Sequence, residues 1–122
     1  MKKWDVVLLG FPFVDLTGAK VRPAVVVSPD SHNASLEAGV FVQITSNIER
    51  STPFDILIES SHPEFRRTGL KKDSMLRVSK IWTLEQTLVK TKIGLLGPLL
   101  QRQLDEQLQA FFEIQPFLPQ AR

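Results

Sequence analysis

The stretch that decides the fold of this chain is Arg22-Pro23-Ala24-Val25-Val26-Val27-Ser28, which contains three consecutive valines. An unbroken apolar run of this length, bounded by turn residues, is typical of a β-strand that is buried on both faces. A second run, Val40-Phe41-Val42-Gln43-Ile44-Thr45-Ser46, has the same character and ends in two hydroxyl side chains. The two runs therefore predict strands that carry an arginine at the edge of one and hydroxyl groups at the edge of the other.

Arg22, Thr45 and Ser46 are residue types that often contact phosphate. A guanidinium offers a fixed fork of donors that matches phosphate oxygens, and Thr and Ser hydroxyls are frequent phosphate contacts. If the two strand edges converge, these side chains can meet on one phosphate. The structural alternative is that Arg22 is solvated or pairs with an acid such as Asp15, while the hydroxyls only end a strand. The residues alone leave both interpretations open.

The rest of the chain predicts a β-rich domain. Short apolar runs separated by turn residues predict further strands at residues 5–10, 54–58 and 74–83, beside those at 24–28 and 39–44, and loops at 11–20 and 60–72. A short helical turn is predicted near residues 35–37. Residues 88–96 are either a strand or a helical turn followed by one.

The C-terminal quarter predicts a helix. Gly97-Pro98 is a typical helix start, and apolar residues then recur at helical spacing, namely Leu100, Leu104, Leu108 and Phe111. Together with the strands, this helix predicts a single domain over residues 1–122 that is mainly β, a small β-barrel with a C-terminal α-helix.

Composition restricts the chemistry. The chain has 122 residues, of which 43% are hydrophobic, and 15 basic against 13 acidic residues, a balance that permits a nucleic-acid partner without requiring one. It has no cysteine, which excludes disulfides, cysteine-ligated zinc and thiolate nucleophiles. Two histidines without a suitably spaced carboxylate predict no metal site. The first apolar run is too short for a signal peptide or a membrane span, so we expect a cytoplasmic protein with no membrane partner.

The order of these motifs resembles that of the MazF/PemK family of toxin endoribonucleases. The resemblance extends from about residue 3 into the C-terminal helix. It rests on six segments taken in this order. They are Trp4-Asp5-Val6-Val7-Leu8, residues 18–28 with Arg22-Pro23, Val42-Gln43-Ile44-Thr45-Ser46, Asp73-Ser74-Met75-Leu76-Arg77-Val78, Thr83-Leu84 and Lys92-Ile93-Gly94-Leu95-Leu96.

The resemblance implies a specific fold, activity and set of partners. The fold would be a small barrel of the PemK/CcdB type, related to the SH3 fold, with a C-terminal helix. The activity would be sequence-specific cleavage of single-stranded RNA, often mRNA, without a metal or another cofactor. The expected partners are a second copy of the chain in a symmetric homodimer and a cognate antitoxin that covers the RNA groove. Growth inhibition, and DNA binding as the antitoxin complex, would accompany the activity.

The resemblance also assigns roles to individual residues. Arg22 matches the catalytic arginine and would clamp the charge on the scissile phosphate, and Thr45, supported by Ser46, would hold that phosphate. Arg77 matches a strand arginine that some members use near the active site, although a sheet-face ion pair is the structural alternative. Ser79 departs from the family pattern, because many relatives carry an acid there. A serine can act neither as a base nor as a charged partner for Arg77.

Other residues are candidates for RNA binding. Phe11 and Phe13 flank a predicted loop and are candidates for stacking on bases. Basic side chains are candidates for phosphate contacts, and these are Lys20, Arg66, Arg67, Lys71, Lys72 and Lys80. The structural alternative for the basic residues is ordinary solvated surface.

Two other functions are compatible with the same fold. Related CcdB-type toxins have this architecture but poison DNA gyrase by binding it, and fold alone does not determine function. A degenerate toxin that acts only as a regulatory binding partner is the second alternative, and it depends on Ser79. Arg22 and Thr45 favour the nuclease, because a pure binding protein has no need for that pair.

Overall fold

A computed structural model describes residues 1–12 and 20–115 of the chain. Within these residues the chain forms six β-strands and two α-helices. The strands are β1 (Asp5–Phe11), β2 (Lys20–Val26), β3 (Ala38–Thr45), β4 (Ile56–Ile58), β5 (Ser74–Glu85) and β6 (Val89–Leu95), and the helices are α1 (Asp30–Ser35) and α2 (Pro98–Phe111). Short 3₁₀ turns occur at Arg66–Thr68 and Gln86–Leu88.

The strands form one antiparallel sheet in the order β4-β5-β3-β2-β1-β6. β1 and β2 pair from Val6↔Val25 to Phe11↔Lys20. β3 pairs with β5 along most of its length, with one irregularity between Val42 and Gln43. The sheet curls into a half-barrel with α2 as its C-terminal helix. The predicted fold, mainly β with a C-terminal helix, is therefore confirmed.

Apolar side chains cover both faces of the sheet. Val25 belongs to a core cluster that includes Leu100 and Leu104 of α2. Its neighbour Val26 belongs to a second cluster on the other face, together with Phe41. Successive strand residues point to opposite faces, so a strand that is covered on both faces needs an unbroken apolar run. The prediction from the valine run is thus confirmed.

Helix α2 is capped by a side chain from a distant loop. Gly97 is the N-cap residue and has no side chain to offer, and Pro98 begins the helix as predicted. The buried carboxylate of Glu64 instead accepts the N–H groups of Leu99 and Leu100, each at 2.9 Å. A carboxylate at this position also interacts favourably with the positive end of the helix dipole. The loop that follows β4 is therefore tied to the start of the helix.

Several element boundaries differ from the predictions. β2 covers residues 20–26 and not 24–28, because residues 20–23 pair with β1 and the ladder with β3 ends at Val26. α1 covers residues 30–35 and not 35–37, since Pro29 ends the preceding extended segment and serves as its N-cap. β4 is limited to residues 56–58, because the N–H of Asp55 bonds Thr52 O and closes a turn. Residues 86–95 form a 3₁₀ turn followed by a strand, which is the second of the two predicted alternatives.

Candidate functional site

β2 and β3 separate at the end that carries Arg22 and Thr45. The ladder between the two strands runs from Val26↔Phe41 to Ala24↔Gln43 and stops there. The next residue of β2 is Pro23, which has no N–H to donate to a ladder. A register continued by two residues would align Arg22 with Thr45, but the ladder ends before it reaches them. The two strand edges that the sequence analysis singled out are therefore neighbours in the sheet.

A cavity of about 280 Å³ lies where the two strands separate. It is lined by residues 21–23 of β2, by Ile44 and Ser46 at the end of β3, and by residues 70–72 and Ser74. A second cavity of about 270 Å³, which extends to Leu8 and Ile93, shares Pro23, Leu70 and Lys71 with the first. We refer to the two joined cavities as the Pro23 groove.

The charged side chains that line the Pro23 groove are cationic. They are Arg22, Lys71 and Lys72, and no acidic residue lines either cavity within the described part of the chain. The neighbouring acid Asp73 accepts the N–H of Ser60 at 2.7 Å and so holds its own loop. The remaining lining is largely apolar, with Ile44 and Leu70 as examples. This combination suits an anion attached to a flat or apolar group.

The hydroxyl of Thr45 is oriented by the turn that follows β3. Thr45 Oγ1 accepts the N–H of Asn47 at 3.1 Å, a local turn that Thr residues often form. A hydroxyl has one proton to donate, and the Thr45 O–H donates it to none of the described residues, so it can serve a ligand oxygen. Strand alternation places Thr45 on the same face as Gln43, and Arg22 on the same face as Ala24. Because Ala24 and Gln43 pair directly, regular alternation would place Arg22 and Thr45 on a common face of the sheet. Of the residues at this end of β3, however, Ile44 and Ser46 line the cavity and Thr45 between them does not.

Ser46 and Arg77 occupy different surroundings. Ser46 is exposed and lines the cavity, as Arg22 does. Arg77 pairs with Gln43 in the β3–β5 ladder, but its guanidinium is already bonded to protein acceptors. It donates to Arg50 O, to Asn47 O at 3.2 Å and to Asp55 Oδ2 at 3.1 Å. The sheet-face ion pair that was the structural alternative is therefore present, and a catalytic role for Arg77 stays a prediction.

The structure contradicts the prediction that Phe11 stacks on bases. Phe11 is 0% exposed in the second core cluster. Its ring meets Trp82 edge-on, with the ring centroids 5.4 Å apart. Phe11 ends a strand rather than lying in a loop, so strand alternation directs its side chain into the core. Phe13, the other stacking candidate, lies outside the described residues.

Some of the predicted RNA-binding cations line the Pro23 groove and others lie elsewhere on the surface. Lys20, Arg66, Arg67 and Lys80 are all exposed, and none of them lines the Pro23 groove. The turn that carries Arg66 and Arg67 lies against β6, where Arg67 O approaches Gly94. Lys80 and the neighbouring Ser79 lie in the stretch of β5 that the ladder with β3 skips. Lys71 and Lys72 are the loop lysines that reach the groove.

The histidines have structural partners. His32 Nε2 donates to Ala38 O at 3.1 Å, and His62 Nδ1 accepts the N–H of Glu64 at 3.0 Å. Among residues 1–12 and 20–115, no three His, Cys, Asp or Glu side chains are grouped so that they could hold a metal ion. No helix in that part of the chain is long and apolar enough to cross a membrane.

Comparison with solved structures shows the same fold in three toxin structures. An endoribonuclease in complex with its cognate antitoxin, from mycobacterial species, has a TM-score of 0.74 and 16% identity over 97% of this chain and 99% of its own. The Mycobacterium tuberculosis toxin MazF-mt6 has a TM-score of 0.74 and 15% identity over 91% and 98%. MazF from Deinococcus radiodurans has a TM-score of 0.73 and 16% identity over 93% and 97%. At such low identity these matches establish the fold only.

The sequence itself identifies the family. No curated protein matches the chain. The family model of the PemK-like, MazF-like toxins of type II toxin-antitoxin systems, however, matches residues 2–112. This range includes the strands and helices of the described residues, β1 to β6, α1 and α2, and the residues that line the Pro23 groove. The chain therefore belongs to the PemK-like, MazF-like family of type II toxin-antitoxin toxins.

Proposed function

We propose that this toxin is a sequence-specific endoribonuclease that cleaves single-stranded RNA without a metal ion, with mRNA as the cellular substrate. The single observation that carries the proposal is the cationic cavity at the end of the β2–β3 ladder, which Arg22 lines from β2 and Ser46 lines from the end of β3, next to Thr45. A pure binding surface has no need of an arginine and an oriented hydroxyl at the ends of two adjacent strands. The exposed Ser46 and Lys72 on the same cavity supply further phosphate donors.

The reaction we propose uses the 2′-hydroxyl of the RNA as the nucleophile. The 2′-oxygen bonds to phosphorus and the bond from phosphorus to the 5′-oxygen breaks, which leaves a cyclic phosphate and a free 5′-hydroxyl. One proton leaves the 2′-hydroxyl and one is gained by the 5′-oxygen. The transition state gains negative charge on the phosphate oxygens, and fixed donors lower the barrier most when they are aimed at that charge.

Each residue has a distinct part in this reaction. Arg22 clamps the charge on the phosphate oxygens, because a guanidinium keeps its proton in proteins and is a poor general base. Thr45 holds a phosphate oxygen through its O–H, since its oxygen already accepts the N–H of Asn47. Ser46 supplies a second hydroxyl from the cavity side. The groove lysines attract the backbone on either side of the cut.

The proposal includes the partners of the toxin. Family membership supports a cognate antitoxin, and the proteins with the same fold include an endoribonuclease solved with its cognate antitoxin and MazE-MazF from Deinococcus radiodurans. We propose that an antitoxin covers the Pro23 groove and that two copies of the chain form the active homodimer. The site of action is the cytoplasm, where the proposed mRNA substrate is found.

The test is cleavage of a long RNA in the presence of EDTA. The purified protein is compared with Arg22→Ala and Thr45→Ala, and the ends of the products are analysed. Discrete cuts with 5′-hydroxyl ends in the wild type, lost in both variants, are expected. Intact RNA at high protein concentration would contradict the proposal. Growth arrest without RNA cleavage would instead favour a gyrase-binding toxin, and neither activity would favour a degenerate regulatory partner.

A further inference from the structure

A buried ion pair lies next to the proposed site. Asp55, in the turn before β4, has a side chain that is 0% exposed, and the side chain of Arg77 on β5 is 17% exposed. Arg77 Nη1 lies 3.1 Å from Asp55 Oδ2, which also accepts the N–H of Thr52 at 2.8 Å. Asp55 Oδ1 is buried and makes no hydrogen bond to the described residues. A charged carboxylate with one unsatisfied oxygen is an unfavourable element of a core.

Stability alone is a weak explanation for this pair. Removing two charges from water offsets most of the attraction between them, so a buried ion pair is often no more stable than apolar residues of similar size. Asp55 and Arg77 nevertheless hold each other in one arrangement, because an unpaired buried charge is strongly unfavourable. Such a pair restrains the positions of its two side chains and of the groups bonded to them. The groups bonded to Arg77 therefore indicate what the pair does in this protein.

The geometry that the pair fixes is that of the turn after Thr45. Arg77 donates to two backbone carbonyls of this turn, Asn47 O at 3.2 Å and Arg50 O. The N–H of Asn47 in turn donates to Thr45 Oγ1 at 3.1 Å. Asn47 is therefore held from both sides, with its carbonyl on Arg77 and its amide on the proposed catalytic hydroxyl. The contacts connect Asp55 to Thr45 through Arg77 and Asn47.

We propose that Asp55 and Arg77 are positioning residues that set the orientation of the Thr45 hydroxyl. This inference rests on the proposed function of Thr45. Asp55 fixes the guanidinium of Arg77, which fixes the carbonyl of Asn47 and, through the backbone of that residue, the N–H that Thr45 Oγ1 accepts. Three N–H contacts of the guanidinium are thus used on the protein itself. Arg77 acts through Thr45 and not by contact with the scissile phosphate.

The proposal predicts a loss of rate without a loss of RNA affinity. Asp55→Asn keeps the shape of the side chain but removes its charge, and Arg77→Lys keeps the charge but removes the fork of donors. We expect each to lower kcat by about 100-fold, because small displacements of a reacting group cost about that much. KM should change by less than about threefold, since the interaction lost is not a binding contact.

A second measurement reports on Thr45 without reference to cleavage. In the wild type we expect one χ1 rotamer for Thr45 in three-bond NMR couplings, because the bond from Asn47 selects it. In Asp55→Asn and Arg77→Lys we expect averaging between rotamers. The control is Lys92→Gln, which removes the ion pair at 3.2 Å between Lys92 and Asp5. It should leave kcat, KM and the Thr45 rotamer unchanged, and all variants are assayed below their measured Tm.

The outcomes separate this inference from the proposed function. A single Thr45 rotamer in both variants would overturn it, as would a raised KM at unchanged kcat, which would mark Arg77 as an RNA contact. If one variant fails to fold, the other still decides between these results. If the wild type cleaves no RNA, the proposed function fails, whereas rotamer averaging in the variants would still establish the connection from Asp55 to Thr45.

Discussion

Glu64 and Gly97 are so close that a Cβ atom on Gly97 would lie 2.4 Å from Glu64 Cδ. Real Cβ atoms do not approach that closely, so one of the two groups would have to move. The carboxylate cannot move without losing its bonds to the N–H groups of Leu99 and Leu100. Glycine at this position therefore allows a distant carboxylate to serve as the cap of α2.

This contact predicts that Gly97→Ala and Glu64→Gln both destabilise the protein. Loss of a helix cap removes about 1–2 kcal/mol from the free energy of unfolding, and Gly97→Ala adds the displacement of Glu64. The measurement is urea unfolding followed by far-UV circular dichroism. The exposed Glu106→Gln on the same helix is the matched control and should change stability by less than about 0.5 kcal/mol. Equal stability of Glu64→Gln and Glu106→Gln would show that the cap is unimportant.

Substitutions at Thr45 should distinguish its hydroxyl from its shape. Thr45→Val keeps the shape and removes the hydroxyl, and we expect kcat for RNA cleavage to fall by about 100- to 1000-fold, as for the loss of one transition-state donor. Thr45→Ser keeps the hydroxyl and should retain most of the activity. The measurement is single-turnover cleavage of a defined RNA. Equal rates for the two variants would contradict the role of the hydroxyl.

The lysines of the Pro23 groove should govern the salt dependence of RNA binding. Each phosphate contact to a single strand contributes about −0.7 to the slope of log K against log salt concentration. Lys71→Gln and Lys72→Gln should each reduce the slope by about that amount. Fluorescence anisotropy with labelled single-stranded RNA, in a catalytically inactive Thr45→Ala background, measures it. Arg102→Gln, on the exposed side of α2 and outside the groove lining, is the control. The same slope in all variants would place the RNA elsewhere.

Phe11 should matter for stability and not for RNA binding. Phe11→Ala removes a fully buried ring that packs on Trp82, and such substitutions lower the free energy of unfolding by about 3–5 kcal/mol. Phe11→Leu should lower it by less, because it leaves a smaller cavity. Tryptophan fluorescence during urea unfolding gives both values. A large loss of RNA affinity with unchanged stability would restore the stacking interpretation.

The elements that the sequence predicted well are those with a local signal. Val25 and Val26 point to opposite faces of the sheet, both covered by apolar side chains, and the unbroken apolar run predicts this arrangement directly. Pro98 and the helical spacing of apolar residues up to Phe111 likewise predict α2. The start of β2 at Lys20 was missed, because it depends on pairing with Phe11 and not on apolar character.

The arrangement around the candidate site was less predictable, since long-range contacts create it. Asp55 lies in a polar turn, and only its contact with Arg77, 22 residues away, distinguishes it from an ordinary turn residue. Glu64 is likewise a loop glutamate until α2 places Leu100 beside it, 36 residues later. Arg22 and Thr45 could be selected from residue type and family resemblance. That they lie at the same end of two neighbouring strands follows from the strand order and register of the sheet.

The loop between β4 and β5 has two structural roles, and each role limits the changes in loop length that the other would allow. Its Glu64 end anchors the start of α2, and its Leu70–Lys72 end forms one wall of the Pro23 groove. Insertions or deletions here would be the simplest way to reshape the groove for another ligand, but they would also shift the anchor. New specificities should therefore arise by exchange of side chains at residues 70–72 within a loop of constant length.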